Sequence, residues 1–241
     1  VTETRDVDAH DPEDSAAVEV AVGLAIAEAL AHPPDISTMT AERAESIMES
    51  VVGGSLRFYS QRVLQTFVSA WRSGQPVDDN DWAAMNEAVD LAVRRAIDDT
   101  GESVRDIIRV NSAKADEALR KGARGPYTVE DGLDIEAKAY HRLREGMSGV
   151  GRILTTRTRE TAKYEFATRM GAVGKAWHTL RDGRVRTSHG DLEGDFVLMD
   201  QPFVTVNGAK LMRPGDLAAP LFETINCRCR LSFRMPVGAA A

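Results

Sequence analysis

Apolar residues recur at helical spacing along most of the chain, then give way near Gly174 to short, alternating and β-branched runs. Asp14 or Ser15 caps a first helix through Ala31, which His32-Pro33-Pro34 stops. Ala44, Ile47, Met48, Val51, Val52 and Leu56, continued by Val63, Phe67, Val68 and Trp71, predict a second helix from just after Thr40 to Ser73-Gly74-Gln75-Pro76. Gly53-Gly54 is placed to kink it. Trp82, Met85, Val89, Val93 and Ala96 form one face of a third helix capped by Asn80. A fourth, with Val104, Ile107, Ile108 and Leu119, starts after Thr100-Gly101 and ends near Gly122, before a Gly125-Pro126 loop. The longest helical stretch runs from about Ile135 to Val173, with Leu143, Met147, Val150, Leu154, Ala162, Phe166, Met170 and Val173 as its buried stripe. Gly146, Gly149 and Gly151 are placed to break it in two.

After Gly174 the pattern predicts a small antiparallel sheet. Lys175 to Leu180 and Arg184 to Thr187 flank an Asp182-Gly183 turn, Phe196 to Met199 and Phe203 to Val206 are apolar runs, Asn207-Gly208 marks a second hairpin into Lys210-Leu211-Met212, and Asn226 to Phe233 is the closing strand. The expected fold class is therefore α+β. Its parts are an acidic disordered arm (1–14), a helical body (15–150), a long helix plus small β module (151–236) and a short tail (237–241).

Composition changes this picture only at the margins. A chain of 241 residues with 43% hydrophobic and 28% charged positions suits a soluble globular protein with a real core. No apolar run is long enough to span a membrane, and the acidic start is no secretory signal. Cys227 and Cys229, separated only by Arg228, are poorly spaced for a disulfide and point to a reducing folding compartment. Net charge is −7 but uneven: 14 Lys and Arg against 9 Asp and Glu from Gly151 onward, 16 against 28 before it. Arg152, Arg157, Arg159, Lys163, Arg169 and Lys175, interleaved with threonines, read as a helix face suited to DNA phosphates. The competing reading is a solvated face paired with Glu160 and Glu165.

Candidate chemistry gathers between Trp177 and Cys229. Two thiols at i, i+2 share one face of a strand, and with His189 they supply three ligands suited to zinc, a fourth coming from Asp182, Asp191 or Glu193. The competing reading is a pair of small, inert, buried thiols beside a locally bonded histidine. Trp177 reads as a core anchor, Asp182 as a turn former, and Arg186 with His189 as partners of Asp182 or Glu193. No HExxH, Gly-x-Ser-x-Gly, P-loop or dinucleotide fingerprint occurs, which lowers the weight of a hydrolase, kinase or dehydrogenase. The enzyme alternative is a small metal-dependent hydrolase or nuclease on His189, Cys227 and Cys229, with Glu193 as base.

The joint order of these residues carries a resemblance. Arg157-Thr158-Arg159-Glu160, Trp177-x-Thr179-x-x-Asp182-x-Arg184-Val185-Arg186-x-x-His189, Leu192-Glu193-Gly194, Pro214-Gly215-Asp216 and Asn226-Cys227-Arg228-Cys229 together resemble the phage Mu F-like minor head proteins (the MuF domain), over roughly Ile153 to Leu231. The resemblance implies a structural rather than enzymatic role. It describes a minor capsid component of a tailed phage or prophage, made in the host cytoplasm and placed in the virion near the portal vertex. Its partners would be the portal protein or the major capsid protein and, through phosphates, packaged DNA, with no membrane partner. Some relatives carry an extra C-terminal toxin domain, for which this chain leaves no room after its closing strand. Many members resemble a zinc module, with a Cys-x-x-Cys pair after the hairpin and a His-Pro-x-Cys-x-Cys ending. Here Arg186 and His189 stand at that pair and Thr224 near the terminal His, so the resemblance implies no resident cofactor, zinc being the alternative. The expected substitute is an ionic or hydrogen-bonded cluster of Asp182, Arg186, His189 and Glu193 closing the hairpin onto the Cys227–Cys229 strand.

Overall fold

A computed structural model of the chain describes residues 3–8, 12–31, 40–73, 76–122, 129–216, 218–224 and 226–237. It has the expected α+β organisation, a helical body followed by a small antiparallel β module. The helices are α1 (Pro12–Ala31), α2 (Ala41–Met48), α3 (Gly54–Trp71), α4 (Asp79–Gly122) and α5 (Val129–Arg169). The expected stops at His32-Pro33-Pro34 and Gly74-Gln75, and the Gly125-Pro126 loop, lie outside the described residues.

Glycines shape this body differently from the sequence expectation. At Gly53-Gly54 the chain passes through a π-helical turn, Glu49–Gly53, that joins α2 to α3. Thr100-Gly101 does not end a helix: α4 runs unbroken for 44 residues, the Thr100 hydroxyl donating to the Ala96 carbonyl within it. Its start is set by Asp78 rather than Asn80, because Asp78 and Asp81 each accept the other's backbone N–H, at 2.8 and 3.3 Å. Helix α5 likewise continues for 41 residues through Gly146, Gly149 and Gly151. A Cβ on Gly151 would stand 2.3 Å from the Glu19 carbonyl, and one on Gly23 would stand 2.8 Å from the Met147 carbonyl. These glycines let α1 lie directly on α5; tertiary contact outweighs the local cost of a helical glycine.

The β module contains β2 (Gly174–His178), a helical turn α6 (Thr187–Gly190), β3 (Phe196–Leu198), β4 (Phe203–Val204), β5 (Lys210–Leu211), a second short turn α7 (Leu221–Thr224) and β6 (Arg230–Pro236). The first strand, β1, is Thr4–Val7, so the acidic arm is not without structure. It pairs antiparallel with β6 and gives the sheet the order β1-β6-β2-β3. Asp6 meets Arg234 at 3.0 Å and Asp8 meets Arg230 at 2.9 Å, so the arm's acidic residues match basic ones on β6. The Asn207-Gly208 hairpin joins β4 to β5 as expected, with Gly208 at φ 77°. The Asp182-Gly183 hairpin does not form. Strand β2 pairs with β3 and β6 instead, Arg181 takes a φ of 53°, and Asp182 closes a local turn by accepting the Arg184 N–H.

One core joins the two parts. Phe67 of α3 meets Phe166 of α5 and Phe233 of β6 edge-on, at 6.2 and 5.7 Å between ring centres. Trp71 packs edge-on to Phe166 and donates its indole N–H to the Pro236 carbonyl. The segment of α5 from Leu154 to Lys163 is buried on every side, between the other helices and the sheet.

Candidate metal centre

The buried part of α5 fixes where β6 begins. Glu160 accepts from Arg159 at 2.7 Å and from the Leu231 N–H at 2.9 Å, while Lys163 donates to the Leu231 carbonyl at 2.8 Å. Arg159 also donates to the Cys229 carbonyl at 3.3 Å. Burial alone would raise the Glu160 carboxyl, but the two cations and these donors hold it below its ordinary value. These bonds pin the backbone at Cys229 and Leu231, and with it one side of the thiol pair.

The other side is positioned by α6 and α7. The helical turn Thr187–Gly190 carries His189 inward, where it is 1% exposed and lies edge-on to the fully buried Trp177 at 5.2 Å. Trp177 is held from both flanks: its N–H donates to the Asp195 carbonyl and its carbonyl accepts from Gly194, which adopts a φ of 83°. Asn226, at φ 54°, turns the chain after α7, and Arg152 holds its side-chain oxygen at 2.8 Å.

The result is a compact donor set. His189 Nδ1 lies 3.6 Å from Cys227 Sγ and 3.5 Å from Cys229 Sγ, and the three ligand atoms all fall within 4.8 Å of one another. Behind the ring, Glu223 Oε2 sits 3.2 Å from His189 Nε2, near enough for an ion pair but out of line for a hydrogen bond. Ser188 and Asn207 grip the same carboxylate at 2.8 and 3.2 Å. Burial would raise the Glu223 carboxyl, but these two donors and His189 keep it below its usual value. The hydrogen bond from Cys229, with His189 beside it, draws the Cys227 thiol well below its normal range, and sharing with Cys227 together with burial pushes Cys229 up. The pair thus gives up one proton readily and holds the other.

The spacing tests the donor set for a metal. Zinc bonds of about 2.3 Å to sulfur and 2.0–2.1 Å to nitrogen, at tetrahedral angles, put S and N about 3.5 Å apart. Both Nδ1–Sγ separations match that edge. A carboxylate behind the second imidazole nitrogen is the usual outer partner of a metal-bound histidine. His189, Cys227 and Cys229 therefore fit a tetrahedral ion.

Comparison with protein-family models, with curated proteins and with solved structures gives no match. The site rests on its own geometry.

Other expected site residues go elsewhere. The cluster of Asp182, Arg186, His189 and Glu193 does not assemble. Asp182 pairs with Arg228 at 2.8 Å. Glu193 accepts from the Thr179 N–H and hydroxyl, both at 2.6 Å, and from Arg181 at 2.9 Å. It lines a separate cleft of about 470 Å³ with Asp8, His178 and Arg230 and does not join the His189, Cys227 and Cys229 group. Arg186 does border the His189, Cys227 and Cys229 group, as a lining residue of its pocket. Cys227 and Cys229 precede β6 rather than lying in it, yet their thiols still converge on one nitrogen.

The expected phosphate-binding face is also absent from the surface. Arg157, Arg159, Lys163 and Lys175 are buried. Arg157 donates to the Gly215 carbonyl and the Thr100 hydroxyl, and Lys175 to the Met199 carbonyl. Arg152 pairs with Glu19 and Arg169 with Glu87. The segment of α5 enclosed on all sides has no solvent face, so its polar residues became internal ties. Sequence reasoning missed Glu223 and Ser188, since neither lies in a periodic pattern or at ligand spacing. Among the described residues, no helix is long and apolar enough to cross a membrane.

Proposed function

We propose that this chain is a minor head protein of a tailed phage or prophage, a structural component that docks to the portal protein or to the inner face of the major capsid protein. The observation that carries this reading is the use made of the residues that resemble that family. Arg159 and Glu160 bind the backbone at β6, Arg157 holds the Pro214-Gly215-Asp216 turn, Gly194 and Trp177 bond to each other, and Asn226 is tied to α5 by Arg152. The Gly194–Trp177 bond closes the β module on itself, and the other contacts hold that module against one helix, which is what a rigid docking unit requires. Helices α4 and α5 pack along each other, and 44 and 41 residues correspond to roughly 60 Å of length. Such a helical pair provides reach to a partner.

The test is co-purification of the chain with tailed-phage portal and major capsid proteins, followed by mass spectrometry of assembled particles. A stable complex with either protein, and the chain's presence in particles, is the expected result. Absence from both overturns the reading. The alternative, a metal-dependent hydrolase or nuclease, draws on the His189, Cys227 and Cys229 cluster. It needs a base other than Glu193, which belongs to the neighbouring cleft.

A further inference from the structure

We infer that His189 Nδ1, Cys227 Sγ and Cys229 Sγ hold a zinc ion through three protein bonds, and that its fourth position opens on an arginine-lined pocket and takes water or one oxygen of a small carboxylate or phosphate anion. The inference goes beyond the docking reading and stands or falls independently of it.

The donor set comes first. Two soft thiolates and one imidazole at tetrahedral spacing favour zinc over magnesium or calcium, which take oxygen ligands. Two thiolates also balance the ion's double charge, so a buried site of this composition is neutral, whereas a lone buried ion would carry a large desolvation cost. Glu223, clamped by Ser188 and Asn207, orients the ring so that Nδ1 faces the sulfurs.

The open position follows from what surrounds the three donors. Among the described residues, no fourth histidine, cysteine or carboxylate joins the group. All three ligand residues line a single pocket, whose other walls include Leu180, Val185, Arg184, Arg186 and Arg228. Its volume of about 10 Å³ is the room needed by one water-sized group. Arg184 is exposed, so the pocket reaches solvent along a cationic wall. Structural zinc sites close with four protein ligands; a site with three and a solvent-connected fourth position is built to exchange that ligand. Arg228 is already held by Asp182 at 2.8 Å, so the cation at the mouth that favours an anion is the exposed Arg184, whose forked N–H groups match carboxylate and phosphate oxygens.

The experiment uses the full chain, purified without chelators. Elemental analysis is expected to give one zinc per chain, and exchange with Co(II) the visible bands of tetrahedral cobalt with thiolate-to-metal charge transfer. Titration of the cobalt protein with acetate and, separately, phosphate is expected to shift those bands saturably, and the two arms tell which anion class the pocket takes. Glu223→Gln should keep the circular dichroism of the parent and weaken zinc binding about ten- to a hundredfold. Arg184→Gln should keep metal stoichiometry and weaken anion binding about fivefold. Absence of both bound zinc and a cobalt spectrum in folded protein overturns the site. A normal cobalt spectrum that no anion moves overturns the open position.

Discussion

Two buried polar clusters flank the start of β6, and they are built on opposite principles. Arg159, Glu160 and Lys163 form a closed set: the carboxylate meets both cations, and further bonds tie all three to the backbone at Cys229 and Leu231. His189, Cys227 and Cys229 are equally buried but under-supplied, with two thiols sharing one nitrogen and Nε2 of the ring left without an aligned partner. A closed set of charges gives rigidity and register. The under-supplied set is the one that the proposed metal ion would complete.

The closed cluster can be broken directly. Glu160→Ala leaves Arg159 and Lys163 buried without their counter-charge and should cost about 3–5 kcal/mol, read as a lower denaturant midpoint. A loss below about 1 kcal/mol would show that water reaches the cluster. The open cluster should respond to metal instead. With free zinc at about a hundred times its dissociation constant, the native state gains about 2.7 kcal/mol over chelated protein, visible as a higher melting temperature. An identical melting temperature with zinc and with chelator would make the two clusters alike.

Lys175 offers a smaller and pH-dependent test between them. Burial lowers its pKa to about 8, only partly offset by Asp216. Its folded pKa lies below the unfolded value, so the charged form is disfavoured in the fold. That penalty is complete below pH 8 and is relieved as pH rises from about 8 toward 10.4. Stability should therefore rise by about 1–2 kcal/mol over that window, and Lys175→Met should flatten the slope. The smallest effect belongs to Glu193. Partial burial alone would raise its carboxyl, but hydrogen bonds from Thr179 and Arg181 hold it at about 2. Its contribution is present above the unfolded value near 4.5 and is lost as pH falls toward 2. Because the group is partly exposed, Glu193→Gln should cost about 1 kcal/mol or less at neutral pH, with no change in zinc content.

The residues themselves show which features were legible early. The helical stripes of Phe67 and Trp71 and of Met85 to Ala96, the Asn207-Gly208 turn and the concentration of chemistry after Trp177 are all local patterns, and all appear in the fold. Gly101 and Gly151 misled because a glycine's cost within a helix is local, while the close approach it permits to Glu45 or to α1 is not. Arg157 and Lys163 misled because charge in a sequence reads as surface, and the backbone carbonyls that accept from them inside the fold lie 58 and 68 positions away.

The sequence alone determined the class of fold, the ordering of helices before sheet, and the three candidate ligands for a soft metal, because periodicity and side-chain chemistry act over a few neighbouring positions. Only the tertiary structure decided that the acidic N-terminus is a strand on β6, that Asp182 and Glu193 stand apart from His189, and that Glu223 stands behind it. Each of those depends on segments distant in the chain meeting across a shared core, where burial determines which charges find partners and which thiols face one another.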